Sequence, residues 1–547
     1  MRVILKTSLC CLTALLLSTT LTGFTAYSQT AGFPPELFTR AERTNYEETS
    51  LHADVMNFVY ALEMHSELAH VEIIGTSKKG RDIPLVVLAD PPMKTPEEAV
   101  KSGKPVVYIQ GNIHAGEVEG KEASMELMRE IAFGPRKYLL SDQIILFAPI
   151  YNADGNDSLR ETRSGTPKFS GQRYSGEGLD LNRDGTKAEA LETIALIKNV
   201  ILKWDPVLLV DLHTTNGSWH GYALTYAPSY HTAGHPGTSD YTMNVMLPAV
   251  QDKVWERSGL RMYLYGGFRG GWPPTEWRTY SHLPRYITNS MGLRNRLAIL
   301  SETFRYDTFE KRIFSAKMFV LSILEYSNIH GDEIVEVIEK SEKETVQQIL
   351  ENAGNFQKGV QFHMAPLDET INLLVYDTVP GEIDARGREQ RQRLDRRVWF
   401  SDVQTFQRFE PTKLSTVPRG YIFPAELKNV ADKLKQHGIN VTVLDRPTLF
   451  DGEEFTVTGF SQGTRPNQKH LTATIEGAFE KTAKEFPAGS YHVDLAQPLA
   501  FLAFYLLEPE ADDGLAVWNY FDEYLKAQGV ESKSVPYPVF KYMKIVK

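Results

Sequence analysis

Cysteine is almost absent from the sequence: the 547 residues contain only two, Cys10 and Cys11, both close to the N-terminus. The rest of the chain has no thiol, so its stability cannot come from disulfides and must come from a buried core or a bound metal. Long apolar runs are also lacking after the N-terminus. The longest, residues 499–507, is far shorter than the roughly 20 residues of a membrane-spanning helix. We therefore expect no stable membrane span in the mature protein.

Positive charge is in deficit. Lysine and arginine number 59 against 69 aspartates and glutamates, which gives a net charge of −10. Binding to phosphate backbones needs local positive charge, so this balance argues against a general nucleic-acid binder. The hydrophobic fraction of 42% and the charged fraction of 23% are those of a globular protein. They exclude collagen-like, low-complexity and coiled-coil chains.

The N-terminus has the pattern of a sorting signal. Arg2 and Lys6 precede a short apolar stretch at 9–17, and small residues lie at 26 and 28. This pattern is typical of a secretory signal peptide, and the apolar stretch is too short and too closely followed by threonines for a membrane anchor. We predict that residues 1–28 are a cleaved signal peptide and that the protein is secreted or periplasmic.

Short apolar segments alternate with helical patterns over the first 335 residues. Strands are predicted at 71–75, 83–88, 104–110, 144–149 and 207–212, and helices at 40–66, 120–132 and 188–203. This alternation predicts an α/β domain, with a mixed, largely parallel sheet flanked by helices, at 29–335. A charged helical linker is predicted at 336–367. Short β-like runs then predict a β-rich accessory domain at 368–547.

Two histidines and a glutamate follow two of the predicted strands. His114 and Glu117 come just after the strand at 104–110, and His213 follows the strand at 207–212. The ends of strands in such sheets are where ligand-binding groups gather. Two imidazoles and one carboxylate leave the fourth position of a zinc ion open for water, as hydrolytic sites require. A His-x-x-Glu spacing alone is a weak signal, and the ordered motifs around it are stronger.

Those motifs occur in a fixed order along residues 40–325. They are Asn-Ala-Asp-Gly at 152–155, Arg-Glu-Thr-Arg at 160–163, Gly-Leu-Asp-Leu-Asn-Arg at 178–183, Asp-Leu-His at 211–213 and Ser-Glu-Thr-Phe at 301–304. In this order the segment resembles the zinc carboxypeptidases, the M14-type metallopeptidases. The resemblance implies the zinc carboxypeptidase fold. It also implies one Zn²⁺ per chain, held by His114, Glu117 and His213.

The resemblance also implies the chemical roles of three further residues. Glu302 matches the general base that takes a proton from the attacking water, a task worth roughly 10²–10⁴ in rate. Arg163 matches the cation that stabilises the developing oxyanion. Asp180 matches a carboxylate that orients the first histidine and fixes its tautomer.

Substrate recognition is implied for a second set of residues. Asn182 and Arg183 match the pair that grips the free C-terminal carboxylate of a peptide, for which the planar fork of arginine is suited. A phenol usually assists in this family; Tyr280 is the candidate and Tyr286 the second choice. The two residues between His114 and Glu117 are alanine and glycine, where many members carry a substrate-contacting arginine.

The sequence thus predicts a secreted zinc metallocarboxypeptidase that hydrolyses the C-terminal peptide bond of peptides. An amidase or cell-wall peptidase on the same fold stays open, because carboxylate recognition does not separate a peptide from a peptidoglycan stem. An inactive homologue that serves as a binding protein is a further alternative. The complete set of metal ligands and general base counts against it.

Overall fold

The computed structural model describes residues 32–162, 167–269, 271–383, 387 and 389–546. The predicted signal peptide, residues 1–28, lies outside the described residues. Within those ranges no helix is both long enough and apolar enough to cross a bilayer.

The first part of the chain, up to residue 330, builds one α/β layer structure. Its strands are β1 (Ala69–Thr76), β2 (Asp82–Leu88), β3 (Val106–Gly111), β4 (Ile144–Ala148), β5 (Arg160–Glu161), β6 (Phe169–Ser170), β7 (Leu208–Thr214), β8 (Leu224–Pro228), β9 (Met262–Leu264), β10 (Gly267–Arg269), β11 (Glu276–Arg278) and β12 (Leu297–Thr303). Its helices are α1 (Arg40–Arg43), α2 (His52–His65), α3 (Pro96–Ser102), α4 (Glu119–Phe133), α5 (Ala153–Asn156), α6 (Leu191–Leu196), α7 (Leu202–Trp204), α8 (Pro236–Tyr241), α9 (Leu247–Ser258), α10 (Ile287–Gly292) and α11 (Phe309–Ile329).

Eight of these strands form the central sheet in the order β1-β2-β4-β3-β7-β12-β8-β9. Strands β4, β3, β7 and β12 run parallel to one another. The pairs β1–β2, β2–β4 and β12–β8 are antiparallel, and the edge strand β9 pairs parallel with β8. The inner strands are buried on both faces: α4, α9 and α11 contribute to the apolar cluster on one face, and α6 and α10 to that on the other. The predicted fold class, a mixed and largely parallel sheet flanked by helices, is confirmed.

The helix predicted at 40–66 is divided into α1 and α2. Asn45 and Tyr46, between the two helices, have φ values of 51° and 62°. A right-handed helix cannot continue through residues in this region.

The second part of the chain is rich in strands, as predicted. It contains α12 (Gly331–Asn352), β13 (Gln357–Ala365), β14 (Thr370–Val379), β15 (Gln392–Phe406), β16 (Arg408–Thr416), β17 (Gly420–Phe423), α13 (Lys428–Gln436), β18 (Thr442–Val443), β19 (Thr448–Gln462), β20 (Ala473–Phe486), β21 (Tyr491–Asp494), α14 (Ala500–Leu507), α15 (Asp522–Ala527), β22 (Val535–Pro536) and β23 (Phe540–Ile545). The long apolar run of the sequence becomes α14, every residue of which is buried.

Strand pairing crosses the boundaries predicted at 335 and 367. β13 lies within the segment 336–367 and pairs with β16, and β11 pairs with β15 in the four-stranded sheet β10-β11-β15-β14. The apolar cluster around α14 also includes Ala233 and Leu293 of the first part. The two parts therefore share a sheet and a core.

Candidate metal centre and active site

The sheet brings the predicted ligand residues to one edge. His114 and Glu117 lie in the turn between β3 and α4, and His213 lies near the end of β7. Glu302 of β12 is directly paired with His213. Because β3, β7 and β12 are adjacent and parallel, their carboxyl ends meet at the same edge of the sheet.

Close backbone packing shapes this turn. Asn112 has a left-handed φ of 67°, which redirects the chain as it leaves β3. A Cβ on Gly120, in the first turn of α4, would lie 2.5 Å from Cβ of Leu212. Only glycine lets α4 approach β7 so closely, and this approach brings His114 and Glu117 next to His213.

His114, Glu117 and His213 form a compact donor group whose ligand atoms lie within 4.8 Å of one another. Nδ1 of His114 is 3.1 Å from Oε1 of Glu117, and Nδ1 of His213 is 2.9 Å from Oε2. Oε2 also accepts a hydrogen bond of 3.1 Å from the backbone N–H of Thr214. Within the described ranges, this is the one group of three or more such side chains that could hold a metal ion.

Each imidazole is fixed from behind by an aspartate. Nε2 of His114 is 3.0 Å from Oδ1 of Asp180, and Nε2 of His213 is 2.9 Å from Oδ2 of Asp211. A carboxylate can only accept, so Nε2 carries the hydrogen in both rings and the Nδ1 lone pairs face Glu117. Acceptors that face one another at about 3 Å need a cation or a proton between them. Two imidazole nitrogens and one carboxylate are the protein donor set that catalytic zinc uses, so these residues fit the ion.

The pKa values of the group are strongly shifted. Burial alone would raise the pKa of Glu117, yet the imidazoles of His114 and His213 hold it well below its usual value. Burial likewise opposes a charge on His213, but Asp211 and Glu117 outweigh it and raise the pKa of that imidazole well above its usual value. Glu117 therefore stays ionised, and a metal ion must compete with a proton at His213.

Asp211 has no role in the sequence prediction, although the Asp-Leu-His motif contained the signal. Residues i and i+2 of a strand lie on the same face, so an aspartate two positions before a ligand histidine can reach its ring.

Glu302 lies beside the candidate metal ligands, paired with His213 across the sheet. The residue is 8% exposed, and its Oε2 is buried without a hydrogen-bond partner among the described residues. Burial raises the pKa of Glu302 well above its usual value, and the negative charges of Glu117 and Asp211 add to this rise, whereas His213 opposes it. A buried carboxyl group with a raised pKa and an unused oxygen is suited to accept and return a proton.

Arg173 is a cation in contact with the donor group, and the sequence prediction did not include it. Its Nε donates to Oδ2 of Asp180 at 2.7 Å, and its Nη1 is 3.4 Å from Nδ1 of His114. Its backbone oxygen accepts from Asn152 Nδ2 at 3.1 Å, which anchors the residue to the Asn-Ala-Asp-Gly motif. The side chain is 40% exposed, so its remaining donors are accessible from outside. Nothing in the local sequence distinguishes it from other loop arginines.

Arg163, the cation that the sequence analysis favoured, lies outside the described residues. Asp180 contacts Nε2 of His114 at 3.0 Å, the histidine that the resemblance assigned to it. Burial opposes its charge, but the hydrogen bond from His114 and the nearby Arg173 lower the pKa of Asp180 below its usual value. This carboxylate is therefore ionised and binds both neighbours at once.

Asn182 and Arg183 follow Asp180 in a short 3-10 turn, Leu181–Arg183. Asn182 is buried; its Oδ1 accepts from the N–H of Ile287 at 3.0 Å, and its Nδ2 is 3.4 Å from Nε2 of His213. Arg183 donates one Nη1 bond to the backbone oxygen of Asn182, and its guanidinium lies 4.0 Å over the ring of Tyr286. Asn182 thus contacts the donor group, and Arg183, the next residue, is the more accessible of the two.

The candidate phenols lie together in an aromatic cluster. The hydroxyl of Tyr280 donates to Oδ1 of Asn289 at 3.0 Å, and its ring packs against Tyr286 and Tyr265. Tyr265 was not predicted. Burial raises the pKa of Tyr265 well above its usual value, and the negative charges of Glu302 and Glu117 add to the rise.

Comparison with known proteins gives one family. Residues 55–248 match the model of the zinc carboxypeptidase family, peptidase M14. The chain is similar to carboxypeptidase 2 of Trichophyton rubrum, with 24% identity over 472 residues, 83% of this chain and 80% of the relative. Carboxypeptidase 2 of Trichophyton equinum is 24% identical over 460 residues, 80% of this chain and 78% of that protein.

Two solved structures are similar to parts of the chain. One is a metallo-carboxypeptidase from Burkholderia cenocepacia, with 16% identity, a TM-score of 0.38, and coverage of 51% of this chain and 68% of the other. The second is carboxypeptidase A from Helicoverpa armigera, with 14% identity, a TM-score of 0.39, and coverage of 55% and 75%.

Proposed function

We propose that this member of the zinc carboxypeptidase family, whose matching segment spans residues 55–248, is a secreted zinc-dependent enzyme that removes the C-terminal residue of peptides. One observation carries the proposal. The Nδ1 atoms of His114 and His213 face the two oxygens of Glu117 at 3.1 and 2.9 Å, with a carboxylate behind each ring and Glu302 beside them. The signal-like pattern at residues 1–28 supports secretion.

Zinc bound by His114, Glu117 and His213 would lower the pKa of water to about 7 and polarise the substrate carbonyl. Glu302 takes the proton of the attacking water on its free Oε2. It then delivers that proton to the nitrogen of the scissile bond, so that the leaving group departs as a neutral amine. Positioned proton transfer of this kind contributes roughly 10²–10⁴ in rate.

Negative charge develops on the carbonyl oxygen during the attack, and an arginine beside the donor group stabilises it. The position of Arg173, with Nη1 on the side of His114 that faces the donor group, supports this residue for the role. Its ion pair with Asp180 fixes the guanidinium in advance, which is what makes such stabilisation effective, at about 3–4 kcal/mol per donor. Arg163 is the alternative cation from the sequence.

The free carboxylate of the substrate is proposed to bind Arg183. Its Nη1 is bonded to the backbone of Asn182, and its other donors have no hydrogen-bond partner among the described residues, so they can bind a carboxylate. Asn182 supports the position of Arg183 from the buried side. Tyr286, stacked on Arg183, lies next to this carboxylate site, whereas Tyr280 would have to give up its bond to Asn289 to reach substrate.

The test is mass spectrometry of a diverse peptide library incubated with the zinc-loaded mature protein. We expect stepwise loss of C-terminal residues. The matched control is Glu302→Gln, which keeps the shape of the side chain but cannot accept the proton, and which should bind one zinc and leave the peptides intact.

If wild type binds one equivalent of zinc and shortens no peptide, the carboxypeptidase proposal is wrong. Peptidoglycan fragments are then the next substrates, and their cleavage would indicate the amidase or cell-wall peptidase. If neither peptides nor peptidoglycan fragments are cleaved, the result would indicate a binding protein.

A further inference from the structure

The tip of the β19–β20 hairpin, residues 463–472, reaches the metal centre from the C-terminal part of the chain. Oε1 of Gln468 accepts a hydrogen bond of 2.8 Å from the backbone N–H of Asp180, a residue 288 positions away in sequence. Asp180 is the residue that holds both His114 and Arg173. One side chain of the second part of the chain therefore contacts the support of the site directly.

The conformation of the tip is unusual for its residues. Asn467 and His470 are paired by two backbone hydrogen bonds of 2.8 and 2.9 Å, and the two residues between them, Gln468 and Lys469, have φ values of 50° and 69°. Two-residue turns with positive φ at both positions favour Asn-Gly and similar pairs, because other side chains are strained there. Such strain persists where surrounding contacts over-determine the conformation, and it is concentrated at functional sites.

Contacts on both sides hold the tip in place. The imidazole of His470 lies 2.9 Å through Nε2 from Oε2 of Glu189, in the loop that follows Arg183, and 3.0 Å through Nδ1 from Oδ1 of Asn519. The Asn519 side chain also donates to the backbone oxygen of Leu471 at 2.8 Å. The hairpin tip is thus held by Glu189 of segment 180–190 on one side and by Asn519 on the other.

Segment 180–190 is also held by residues at the C-terminal end of α13. Gln436 donates to the backbone oxygen of Ala188 at 2.8 Å, and Nε2 of His437 donates to that of Thr186 at 2.8 Å. Segment 180–190, which bears Asp180, Asn182 and Arg183, therefore takes its position from the C-terminal part as well as from the central sheet.

We infer that the hairpin tip is a built-in part of the active site and that Gln468 is a positioning residue for the metal centre. By fixing the backbone of Asp180, it keeps one carboxylate oxygen on His114 and the other on Arg173. The effect on turnover rests on the peptidase activity of the proposed function, whereas the effect on zinc binding rests only on the metal site.

The test compares two substitutions in the full-length mature protein. Gln468→Met removes the acceptor and keeps a side chain of similar length. Lys469→Met makes the same replacement at the exposed neighbouring residue of the same strained turn. The zinc dissociation constant is measured by chelator competition on folded protein, and kcat and KM are measured on the best peptide from the library.

Partners behind a metal ligand are typically worth 10–100-fold in metal affinity or activity, and Gln468 acts one bond further away. We therefore expect Gln468→Met to weaken zinc binding about 3–10-fold and to lower kcat about tenfold, with Lys469→Met equal to wild type. A dissociation constant and kcat within twofold of wild type in Gln468→Met would overturn the inference. If the wild type is inactive, the proposed function is wrong, and the zinc dissociation constant alone then tests the positioning role of Gln468.

The same substitution in an Asp180→Asn protein separates a positioning role of Gln468 from general destabilisation of the fold. If Gln468 acts through the carboxylate of Asp180, its replacement in an Asp180→Asn protein should add no further loss of zinc affinity, since coupled residues are not additive. An equal loss in both backgrounds would show that Gln468 does not act through Asp180.

Discussion

Glu192 offers a quantitative test of burial away from the metal centre. It lies in the first turn of α6, is fully buried, and neither carboxylate oxygen has a hydrogen-bond partner among the described residues. Burial raises the pKa of Glu192 from 4.5 to about 7, and the negative charges of Glu177 and Asp154 add to the rise. The folded protein therefore binds this proton more tightly than the unfolded chain does.

The sign and size of the effect on stability follow from the two pKa values. Below pH 4.5 the group is protonated in both states and costs nothing, whereas above pH 7 it is ionised in both and the folded state bears the cost. Each pKa unit corresponds to about 1.4 kcal/mol, so the cost reaches about 3 kcal/mol at pH 8.5 and stays below about 1 kcal/mol at pH 5. Glu192→Gln has nearly the same shape and does not titrate. An unpaired buried amide adds a penalty that is the same at both pH values.

The assay is denaturant unfolding of metal-free wild type and Glu192→Gln at pH 5 and pH 8.5. The difference between variant and wild type cancels the other titrating groups, and we expect it to shift in favour of the variant by about 2–3 kcal/mol between the two pH values. Glu97→Gln is the matched control, because Glu97 is exposed at the equivalent second position of α3. A difference that is the same at both pH values would refute the argument, since Glu192 would then carry no burial cost for its charge.

Two further predictions concern the metal centre. Asp211→Asn should weaken zinc binding about 10–100-fold in chelator competition, because the amide no longer fixes the His213 tautomer as firmly; unchanged affinity would contradict that role. Arg173→Met should lower kcat about 10²–10³-fold on a peptide substrate at full zinc content, and by more than Arg163→Met, because its donors act on charge that appears during the reaction. A loss confined to KM would assign Arg173 to substrate binding instead.

The parts of the molecule that sequence predicted well are those with a local signal. The apolar strands of the central sheet are short, buried on both faces and separated by helices, so their pattern alone indicates an α/β layer. His114 follows β3 and His213 lies near the end of β7, and neighbouring parallel strands end at the same edge. The grouping of the candidate ligands therefore follows from topology once the strands are placed.

The parts that sequence did not predict depend on contacts between distant segments. The pairing of β11 with β15 has no local signature, because either strand would look the same with another partner. Arg173 is separated from His114 by 59 positions and Gln468 from Asp180 by 288, and neither stands in a distinctive motif. A domain boundary predicted from a change in the pattern of apolar residues, as at 367, takes no account of such contacts.

Asp180 shows why the long-range contacts matter for the chemistry. Its Oδ1 binds His114 and the N–H of Asn182, and its Oδ2 binds Arg173. In the proposed mechanism, this carboxylate supports a metal ligand with one oxygen and the oxyanion-stabilising cation with the other, and so it couples metal affinity to charge stabilisation. Any movement of its backbone changes both, so its anchoring has to be stiffer than a surface loop provides. The hydrogen bond from its N–H to Gln468, on a hairpin fixed at both sides, supplies that anchoring.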